Sequence, residues 1–482
     1  MLFNSLDFAI FLPIVFILYW FVTDKNLKLQ NFLVLAASYV FYGWWDWRFL
    51  SLIIFSTLVD YSIGRKLGVE DDDRKRKYLL WISVAVNLGF LGFFKYYNFF
   101  LENFIEAFSF FGYSIKANTL NIILPVGISF YTFQTMSYTI DVYRRKLEPT
   151  QDIIAFGAFV AFFPQLVAGP IERATNLLPQ FYKKRTFTYE QGADGMRQIL
   201  WGLFKKVVIA DNCAEYANLI FNNYEDYNGA TLILGAIFFT FQIYGDFSGY
   251  SDIAIGTSKL FGFSLMQNFA TPYFSRDIAE FWRRWHISLS TWFRDYLYIP
   301  LGGSRGSKWQ QVRNVFIIFI VSGFWHGANW TFIVWGALNA IYFLPLLLLN
   351  KNRTNVTSVV AEGRLIPSLK ELIQIGTTFS LTVFAWIFFR AESLSHATRF
   401  ISEIFNSDID LPSFDGRRKA VEIIMVIGMM VIIEFTQRGK LHSLELNELR
   451  STGLRRVIYA VLIAGIILYH QTEKQQFIYF NF

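Results

Sequence analysis

Long apolar stretches, separated by short polar loops, recur along the whole chain. About 20 such residues in a helix cross the hydrocarbon core of a bilayer, which is about 30 Å thick. The pattern therefore predicts an all-α, polytopic transmembrane protein with about 11 spans. The stretches run over residues 8–22, 32–42, 49–63, 78–100, 120–140, 153–168, 231–243, 315–349, 373–389, 421–433 and 457–468.

The first apolar stretch lacks a basic leading segment and a small-residue cleavage site, so we interpret it as a retained span. No long linker, low-complexity tract or obvious repeat interrupts the sequence. We therefore expect one polytopic domain over residues 1–482. The short alternating segments of an outer-membrane barrel are not visible either, so helices are the expected spanning elements.

Composition and charge support a membrane location. Only 17% of the residues are charged, against about 25% in soluble domains. Basic residues concentrate in short loops, including residues 64–77 and 144–146. Such loops are typically cytoplasmic. Counting spans back from them places Lys25 and Lys28 in the cytoplasm as well, and the N-terminus outside it. The net charge of +7 thus indicates topology, and we expect no nucleic-acid partner.

Three segments depart from the pattern of simple spans. Residues 196–216 contain Lys205 and Lys206 within an apolar helical pattern. Residues 278–299 mix aromatic and charged side chains, which is typical of an interfacial or re-entrant helix beside a central cavity or tunnel. Residues 315–349 would form a helix of roughly 50 Å, which is too long for one straight span.

We expect the stretch 315–349 to break near Gly323 and Gly327, because glycine weakens a helix. His326 lies between them, in SGFWHGANW at 322–330. The break places this imidazole inside the protein, where its neutral form can accept a proton from a hydroxyl group. A histidine that only holds neighbouring helices together would explain the same pattern.

A second histidine, His286, lies beside Arg283 and Arg284 in FWRRWHISLS. His286 can orient a substrate or stabilise developing charge, or it can simply lie at the membrane interface. The two arginines suit phosphate or carboxylate binding, and membrane anchoring accounts for them equally well.

Two carboxylates, Asp246 and Asp252, close the apolar span in FQIYGDFSGYSDIAIG at 241–256. They can orient a histidine, pair with an arginine or belong to a proton path. Alternatively, Gly245 and Gly249 end the helix there, and Asp246 or Ser248 caps it.

Several chemistries lack their sequence signals. There is no phosphate-binding loop, no zinc motif of the His-Glu-x-x-His type and no Gly-x-Ser-x-Gly elbow. The single cysteine, Cys213, excludes an intramolecular disulfide and multi-cysteine metal frameworks. We therefore expect neither a metal site nor an ATP-driven pump.

Taken together, the motifs resemble those of the membrane-bound O-acyltransferase family, and more closely its bacterial alginate O-acetylation branch. The longest match is NFATPYFSRDIAEFWRRWHISLSTWFRDYLYIPLGGSR at 268–305. The others are SYTIDVYRRK at 137–146, AFFPQLVAGPI at 161–171, YGDFSGYSDIAIG at 244–256, GFWHGANWTFIVWG at 323–336 and the C-terminal FIYFNF.

The resemblance implies an enzyme that moves an acetyl group from a cytoplasmic thioester, acetyl-CoA, to hydroxyls of an extracytoplasmic polysaccharide, with no bound cofactor. The family's essential histidine corresponds to His326, as general base or transient acyl carrier, and its second polar site to His286. The resemblance also suggests candidates for substrate or donor binding: Trp325, Arg283, Arg284, Asp246, Asp252, Tyr250 and Asn268.

The same resemblance implies a bacterial inner-membrane location, among membrane lipids, and a separate extracytoplasmic acetyltransferase or lipoprotein that completes transfer to the glycan. Two alternatives stay open. One is transfer of D-alanine or another acyl group to a cell-envelope polymer, although the YIPLGGSR block favours acetylation. The other is a polysaccharide or lipid transporter without chemistry, in which His326 serves packing or proton coupling.

Overall fold

We analysed a computed structural model, which describes residues 1–112, 119–167, 169–408, 410–446, 448–449, 451–471 and 477–478. Within these ranges the chain is built from helices and contains no β-strand. The prediction of an all-α protein is therefore confirmed. The chain divides into two compact units, one formed by residues 1–193 with 257–266 and the other by residues 194–256 with 267–482. The single domain expected over 1–482 stays a prediction.

Helices account for most of the first unit. They are α1 (Leu6–Ile17), α2 (Leu27–Asp46), α3 (Leu50–Val69), α4 (Asp73–Leu91), α5 (Tyr97–Phe110), α6 (Ile128–Tyr143), α7 (Ile153–Val160) and α8 (Ala174–Leu177). The π-helical segments Leu18–Val22 and Gly92–Tyr96 extend α1 and α4, and 3-10 turns lie at Trp47–Phe49 and Leu178–Tyr182. The apolar run 120–140 is helical only from Ile128, so its first part does not form the predicted span.

The second unit contains most of the 32-residue helix Gly229–Leu260. Its helices are α9 (Tyr189–Leu203), α10 (Asp211–Asn222), α11 (Gly229–Leu260), α12 (Ile278–Arg284), α13 (Ile287–Phe293), α14 (Lys308–His326), α15 (Trp330–Leu348), α16 (Leu369–Arg390), α17 (Leu394–Asn406), α18 (Arg417–Thr436) and α19 (Thr452–Leu468). Residues of α9 and α11 lie on both sides of the division between the units. Two π-helical segments, Phe204–Ala210 and Arg294–Tyr298, and two 3-10 turns, Tyr224–Asp226 and Pro272–Phe274, complete the list.

Four helical stretches of the described chain are long and apolar enough to cross a membrane: Asp73–Phe110, Gly229–Leu260, Trp330–Leu348 and Leu369–Arg390. The apolar helix Leu6–Val22 is shorter. Only 17% of the most apolar window of Asp73–Phe110 is buried by protein, against 72% for Gly229–Leu260. Most of the first stretch therefore lies on the surface of the protein, whereas protein encloses the second. The total of about 11 spans stays a prediction.

The interior of the first unit contains a polar cluster that joins α3, α4 and α6. The Asp60 carboxylate is fully buried and accepts hydrogen bonds from Asn87 Nδ2 at 2.9 Å and Thr139 Oγ1 at 3.0 Å. The Ser83 hydroxyl also donates to it. Each helix thus satisfies a buried polar group of another, which stabilises their packing in an apolar medium.

Two predictions about helix ends had opposite outcomes. The break near Gly323 and Gly327 is confirmed, because α14 ends at His326 and α15 begins at Trp330. The helix end proposed at Gly245 and Gly249 is wrong, since α11 continues to Leu260. A Cβ atom on Gly245 would lie 2.9 Å from the backbone oxygen of Lys205, so this glycine permits close helix packing instead.

Candidate functional site

The break between α14 and α15 holds His326 in an aromatic enclosure. His326 is the last residue of α14 and only 3% of it is exposed. Its ring centroid lies 4.9 Å from Trp325, 5.1 Å from Trp335 and 5.2 Å from Phe389. At the far side of the break, the Asn329 side chain caps α15 by accepting the Thr331 N–H at 3.0 Å. The sequence SGFWHGANW therefore ends one helix and begins the next around a buried imidazole.

Backbone contact between α14 and α15 fixes the position of this break. A Cβ atom on Gly323 would lie 2.2 Å from the Phe332 carbonyl oxygen, and one on Gly336 would lie 2.3 Å from that of Phe319. Only glycine leaves room for such an approach. The two helices consequently meet closely beside His326.

His286 lies at the turn between α12 and α13, where we had expected a single interfacial or re-entrant helix. The backbone at His286 has a φ of 44°, in the left-handed region that few non-glycine residues adopt. Its ring lies 4.6 Å from Phe247 and 6.1 Å from Trp325, measured between ring centroids. Burial lowers the pKa of His286 to about 3, because an apolar enclosure disfavours imidazolium. The ring is therefore neutral at physiological pH.

The two histidines line one cavity of about 260 Å³. Its lining also includes basic and hydroxyl side chains, namely Arg283, Arg294, Arg353, Tyr298, Ser290 and Ser322. Sites for small molecules commonly combine apolar walls with a few polar groups. The volume suits a small acyl group and the atoms that it joins.

The neighbouring arginines differ in their charge partners. Arg283 donates to the backbone oxygens of Asn352 at 3.0 Å and Asn355 at 3.1 Å, and it forms no ion pair with any described residue. Arg284 is paired with Glu280 at 3.0 Å and does not line the cavity. Arg283 thus has no carboxylate in ion-pair contact among the described residues, whereas Arg284 has one.

Asp246 and Asp252 form ion pairs with two buried lysines, away from the cavity lining. Lys205 Nζ lies 2.6 Å from Asp252 Oδ2, and Lys206 Nζ lies 2.7 Å from Asp246 Oδ1 and 2.7 Å from Asp211 Oδ1. These five carboxylate and ammonium groups are therefore part of the packing of α11 against the π-helical segment 204–210.

Known proteins match this chain over the region that contains these motifs. The model of the membrane-bound O-acyltransferase family matches residues 144–362. A probable alginate O-acetylase AlgI of Pseudomonas aeruginosa is 44% identical over 408 residues, which cover 84% of this chain and 75% of the relative. The peptidoglycan O-acetyltransferase of Helicobacter pylori is 32% identical over 100% of this chain and 98% of its own length.

The chain belongs to the membrane-bound O-acyltransferase family. It is accordingly a membrane enzyme that transfers acyl groups to oxygen, with relatives in alginate O-acetylation. A less similar relative, the teichoic acid D-alanyltransferase of Bacillus subtilis, is 30% identical over 46% of this chain and 58% of its own length.

Three other predicted residues of this O-acyltransferase, Trp325, Asn268 and Tyr250, do not line the cavity, and the first two contact the histidines. Trp325 contacts both imidazole rings, and Asn268 Oδ1 lies 3.1 Å from His286 Nδ1. The Tyr250 ring lies 5.5 Å from Lys206 Nζ and packs 4.5 Å from Phe477. The prediction that all three contact the substrate or donor stays a prediction.

The C-terminal FIYFNF motif reaches the same region through its first two residues. Phe477 is fully buried and packs against Tyr250, and the Ile478 N–H donates to Asp246 Oδ2 at 2.6 Å. Residues 479–482 of the motif lie outside the described ranges. The motif therefore contacts the buried ion pairs through the Ile478 backbone, and Phe477 packs beside them against Tyr250.

Several polar residues near the site escaped the sequence analysis. Arg353 lines the cavity from the loop between α15 and α16, and Glu434 accepts two contacts from Tyr244 OH at 2.8 and 2.9 Å. Nothing local distinguishes Arg353 from other loop arginines, whereas Glu434 at the end of an apolar stretch was a usable signal. The described residues contain no group of three or more His, Cys, Asp or Glu side chains placed to bind a metal ion.

Proposed function

We propose that this enzyme transfers an acetyl group from a cytoplasmic thioester, acetyl-CoA, to hydroxyl groups destined for an extracytoplasmic polysaccharide. The observation that carries the proposal is the shared cavity of two buried histidines, at a helix break in a membrane O-acyltransferase. Acetyl-CoA carries several negative charges and cannot cross hydrocarbon unaided. The small acetyl group can be transferred across the membrane at the break between α14 and α15.

His326 acts in the proposed mechanism as the general base or as a transient acyl carrier. In the first version the hydroxyl oxygen attacks the thioester carbonyl, the C–O bond forms and the C–S bond breaks. The imidazole takes the hydroxyl proton and returns it to the departing thiolate. In the second version the imidazole nitrogen attacks the acetyl carbon, the C–S bond breaks and CoA leaves as the thiolate. The hydroxyl oxygen then forms the C–O bond as the C–N bond breaks, and the hydroxyl proton is passed to the thiolate.

Arg283 is the proposed contact for the negative charges of the donor, together with Arg353. Guanidinium groups bind phosphate through paired donors. Arg284, Lys205 and Lys206 are poorer candidates, because each of them already has a carboxylate partner. The cavity of about 260 Å³ is too small for a whole CoA molecule, so the nucleotide part would bind outside it.

The acceptor and the location are proposed from the relatives. Two of them are named for acetylation of alginate and peptidoglycan, so we propose a cell-envelope polysaccharide as the final acceptor here. A separate extracytoplasmic acetyltransferase or lipoprotein would complete the transfer. We further propose the bacterial inner membrane, with the N-terminus outside the cytoplasm, from the basic loops of the first unit.

Transfer of D-alanine is the second candidate, and similarity to the Bacillus subtilis enzyme favours it. That similarity covers 46% of the chain, whereas the acetylating relatives cover 84% or more. Transport without chemistry has lost its support, since the family is one of acyltransferases.

Consumption of the thioester tests the proposal directly. Membranes with the wild-type chain, His326→Ala or His286→Ala would receive acetyl-labelled CoA, and free CoA and bound label would be followed. We expect His326→Ala to lower the rate of CoA release by a factor of about 100 or more, which is the usual contribution of a general base. His286→Ala should also lower the release.

His470→Ala is the matched control, because His470 is an exposed histidine. It should behave like the wild type. Full CoA release by His326→Ala, in protein present at normal levels, would rule out the catalytic role. Release of an added D-alanyl thioester only, with acetyl-CoA inert, would favour the second candidate.

A further inference from the structure

The side-chain oxygen of Asn268 contacts several polar groups of the turn that contains His286. Asn268 Oδ1 lies 2.9 Å from Ser288 Oγ, 3.1 Å from His286 Nδ1 and 3.3 Å from the Ser288 backbone nitrogen. The Asn268 amide nitrogen donates in turn to Ser251 Oγ at 3.0 Å. Asn268 itself is fully buried. Its amide is therefore held at both ends.

The orientation of this amide follows from its partners. A backbone N–H can only donate, so the Asn268 atom that faces Ser288 is the carbonyl oxygen. A carbonyl oxygen can only accept, so the facing His286 Nδ1 must carry a hydrogen. In a neutral imidazole the lone pair then lies on Nε2.

The backbone of Asn268 also holds the turn. Its carbonyl oxygen accepts the Ile287 N–H at 2.9 Å, and two residues further on the Ala270 N–H donates to the Arg284 oxygen at 3.0 Å. These bonds bracket His286, whose φ of 44° is unfavourable for a residue with a Cβ atom. The strained conformation persists because the segment around Asn268 fixes both of its sides.

His286 Nε2 is buried and has no hydrogen-bond partner among the described residues. Structures normally satisfy such an atom, and exceptions cluster at functional sites. His286 belongs to the lining of the cavity that it shares with His326. A hydroxyl group in that cavity is the natural donor for the Nε2 lone pair.

We infer that Asn268 is a positioning residue: it fixes His286 as the Nδ1–H tautomer, so that Nε2 accepts a hydrogen bond from the attacking hydroxyl. The inference rests on the proposed function and deepens it, since it gives the two histidines different tasks. His286 holds the hydroxyl through its single hydrogen, so the inference selects the version in which His326 carries the acetyl group and the hydroxyl proton leaves through His286 Nε2. Asn268 touches no substrate in this scheme and acts through His286.

The tautomer can be measured without any activity assay. The chain has five histidines, so uniform ¹⁵N labelling of histidine gives a small set of imidazole signals in the full-length protein in lipid. The His286 signals are those lost in His286→Gln. We expect the Nδ1–H tautomer in the wild type and a mixture, or the Nε2–H form, in Asn268→Leu.

Asn212→Leu is the matched control for loss of a buried amide, because Asn212 is also fully buried and hydrogen-bonded, to the Val207 and Val208 oxygens. It should leave the His286 signals unchanged. An Nε2–H tautomer in the wild type, or Asn268→Leu with wild-type signals, would overturn the inference.

Enzyme kinetics add a second readout. Asn268→Leu should lower kcat for CoA release by at least about 10-fold and leave KM for acetyl-CoA nearly unchanged.

Asn268→Asp keeps the acceptor oxygen and should restore the tautomer and most of kcat. The negative charge of the new carboxylate should raise the pKa of His286. As the pH is lowered, activity should therefore begin to fall at a higher pH in this variant than in the wild type. The titratable groups that share the cavity with His286 are Arg283, Arg294, Arg353, Tyr298 and His326, and these variants alter none of them.

The two proposals fail in distinguishable ways. Wild-type kcat and pH profile in all Asn268 variants would refute the positioning role and leave acetyl transfer intact. Full CoA release in both His326→Ala and His286→Ala would refute the proposed mechanism, whatever the tautomer of His286.

Discussion

Lys206 is a buried charge that other charges surround. Lys206 is 1% exposed and contacts two carboxylates, those of Asp246 and Asp211. Desolvation of such ions costs several kcal/mol each, and the attraction between them offsets that cost only while all partners remain. Removal of one member therefore leaves an uncompensated charge in the interior.

Lys206→Met should consequently destabilise the protein strongly, by about 3–5 kcal/mol. Thermal unfolding in detergent would measure this as a large fall in Tm. Lys419→Met is the control, because Lys419 and its partner Glu215 are 47% and 48% exposed, and such surface pairs contribute about 0–1 kcal/mol. Similar falls in Tm for both variants would contradict the interpretation of the buried cluster.

The helices around the site depend on close backbone approach. Gly323 and Gly336 bring α14 and α15 together, and Gly249 brings α11 within reach of the Gly202 oxygen, 2.8 Å from an added Cβ. Small residues at helix contacts are a general means of packing in membranes, where no hydrophobic force joins helices. These contacts position the wall that carries His326.

Gly323→Ala should destabilise the protein by about 1–3 kcal/mol, since its Cβ would collide with the Phe332 oxygen. It should also lower the rate of CoA release, because the break beside His326 must shift. Gly376→Ala in α16 is the matched control, as nothing lies within 4 Å of its added Cβ. That change should be neutral or stabilising by up to about 1 kcal/mol. A more stable Gly323→Ala protein with full activity would refute the close-packing argument.

Sequence reasoning succeeded at the elements where the signal is local. The length of the stretch 315–349 and its two glycines were enough to predict the break at His326. The same reasoning failed at Gly245, because a glycine that ends a helix and one that permits a close contact look alike in sequence. The hydrogen bonds of Asn268 and the position of Arg353 join residues far apart in the chain, so no local pattern could reveal them.

At the scale of the whole molecule, membrane topology links the basic loops to the direction of transfer. Cytoplasmic loops at 64–77 and 144–146 would make the segment after α5 extracytoplasmic, since Asp73–Phe110 is long and apolar enough to cross. Acetyl-CoA and the polysaccharide are on opposite sides in the proposed function, so the orientation of the chain decides which face must admit each.

Cysteine labelling tests this topology. Cys213 is the single cysteine and is buried, so Cys213→Ser provides the background. In intact cells an impermeant maleimide should modify Phe111→Cys, at a residue that is 74% exposed, and should spare Lys75→Cys, which also replaces an exposed residue. Permeabilised cells should label both. The reverse pattern in intact cells would invert the predicted orientation.

The position of His326 at the very end of α14 has a further electrostatic consequence. The last carbonyl groups of a helix carry a partial negative charge, which stabilises a nearby cation. The helix end therefore favours the positive charge that develops on the ring, whether it takes up a proton or bonds to the acetyl carbon. Since this field is built into the backbone, it is in place before the substrate arrives, and no dipole has to reorient when the proton moves.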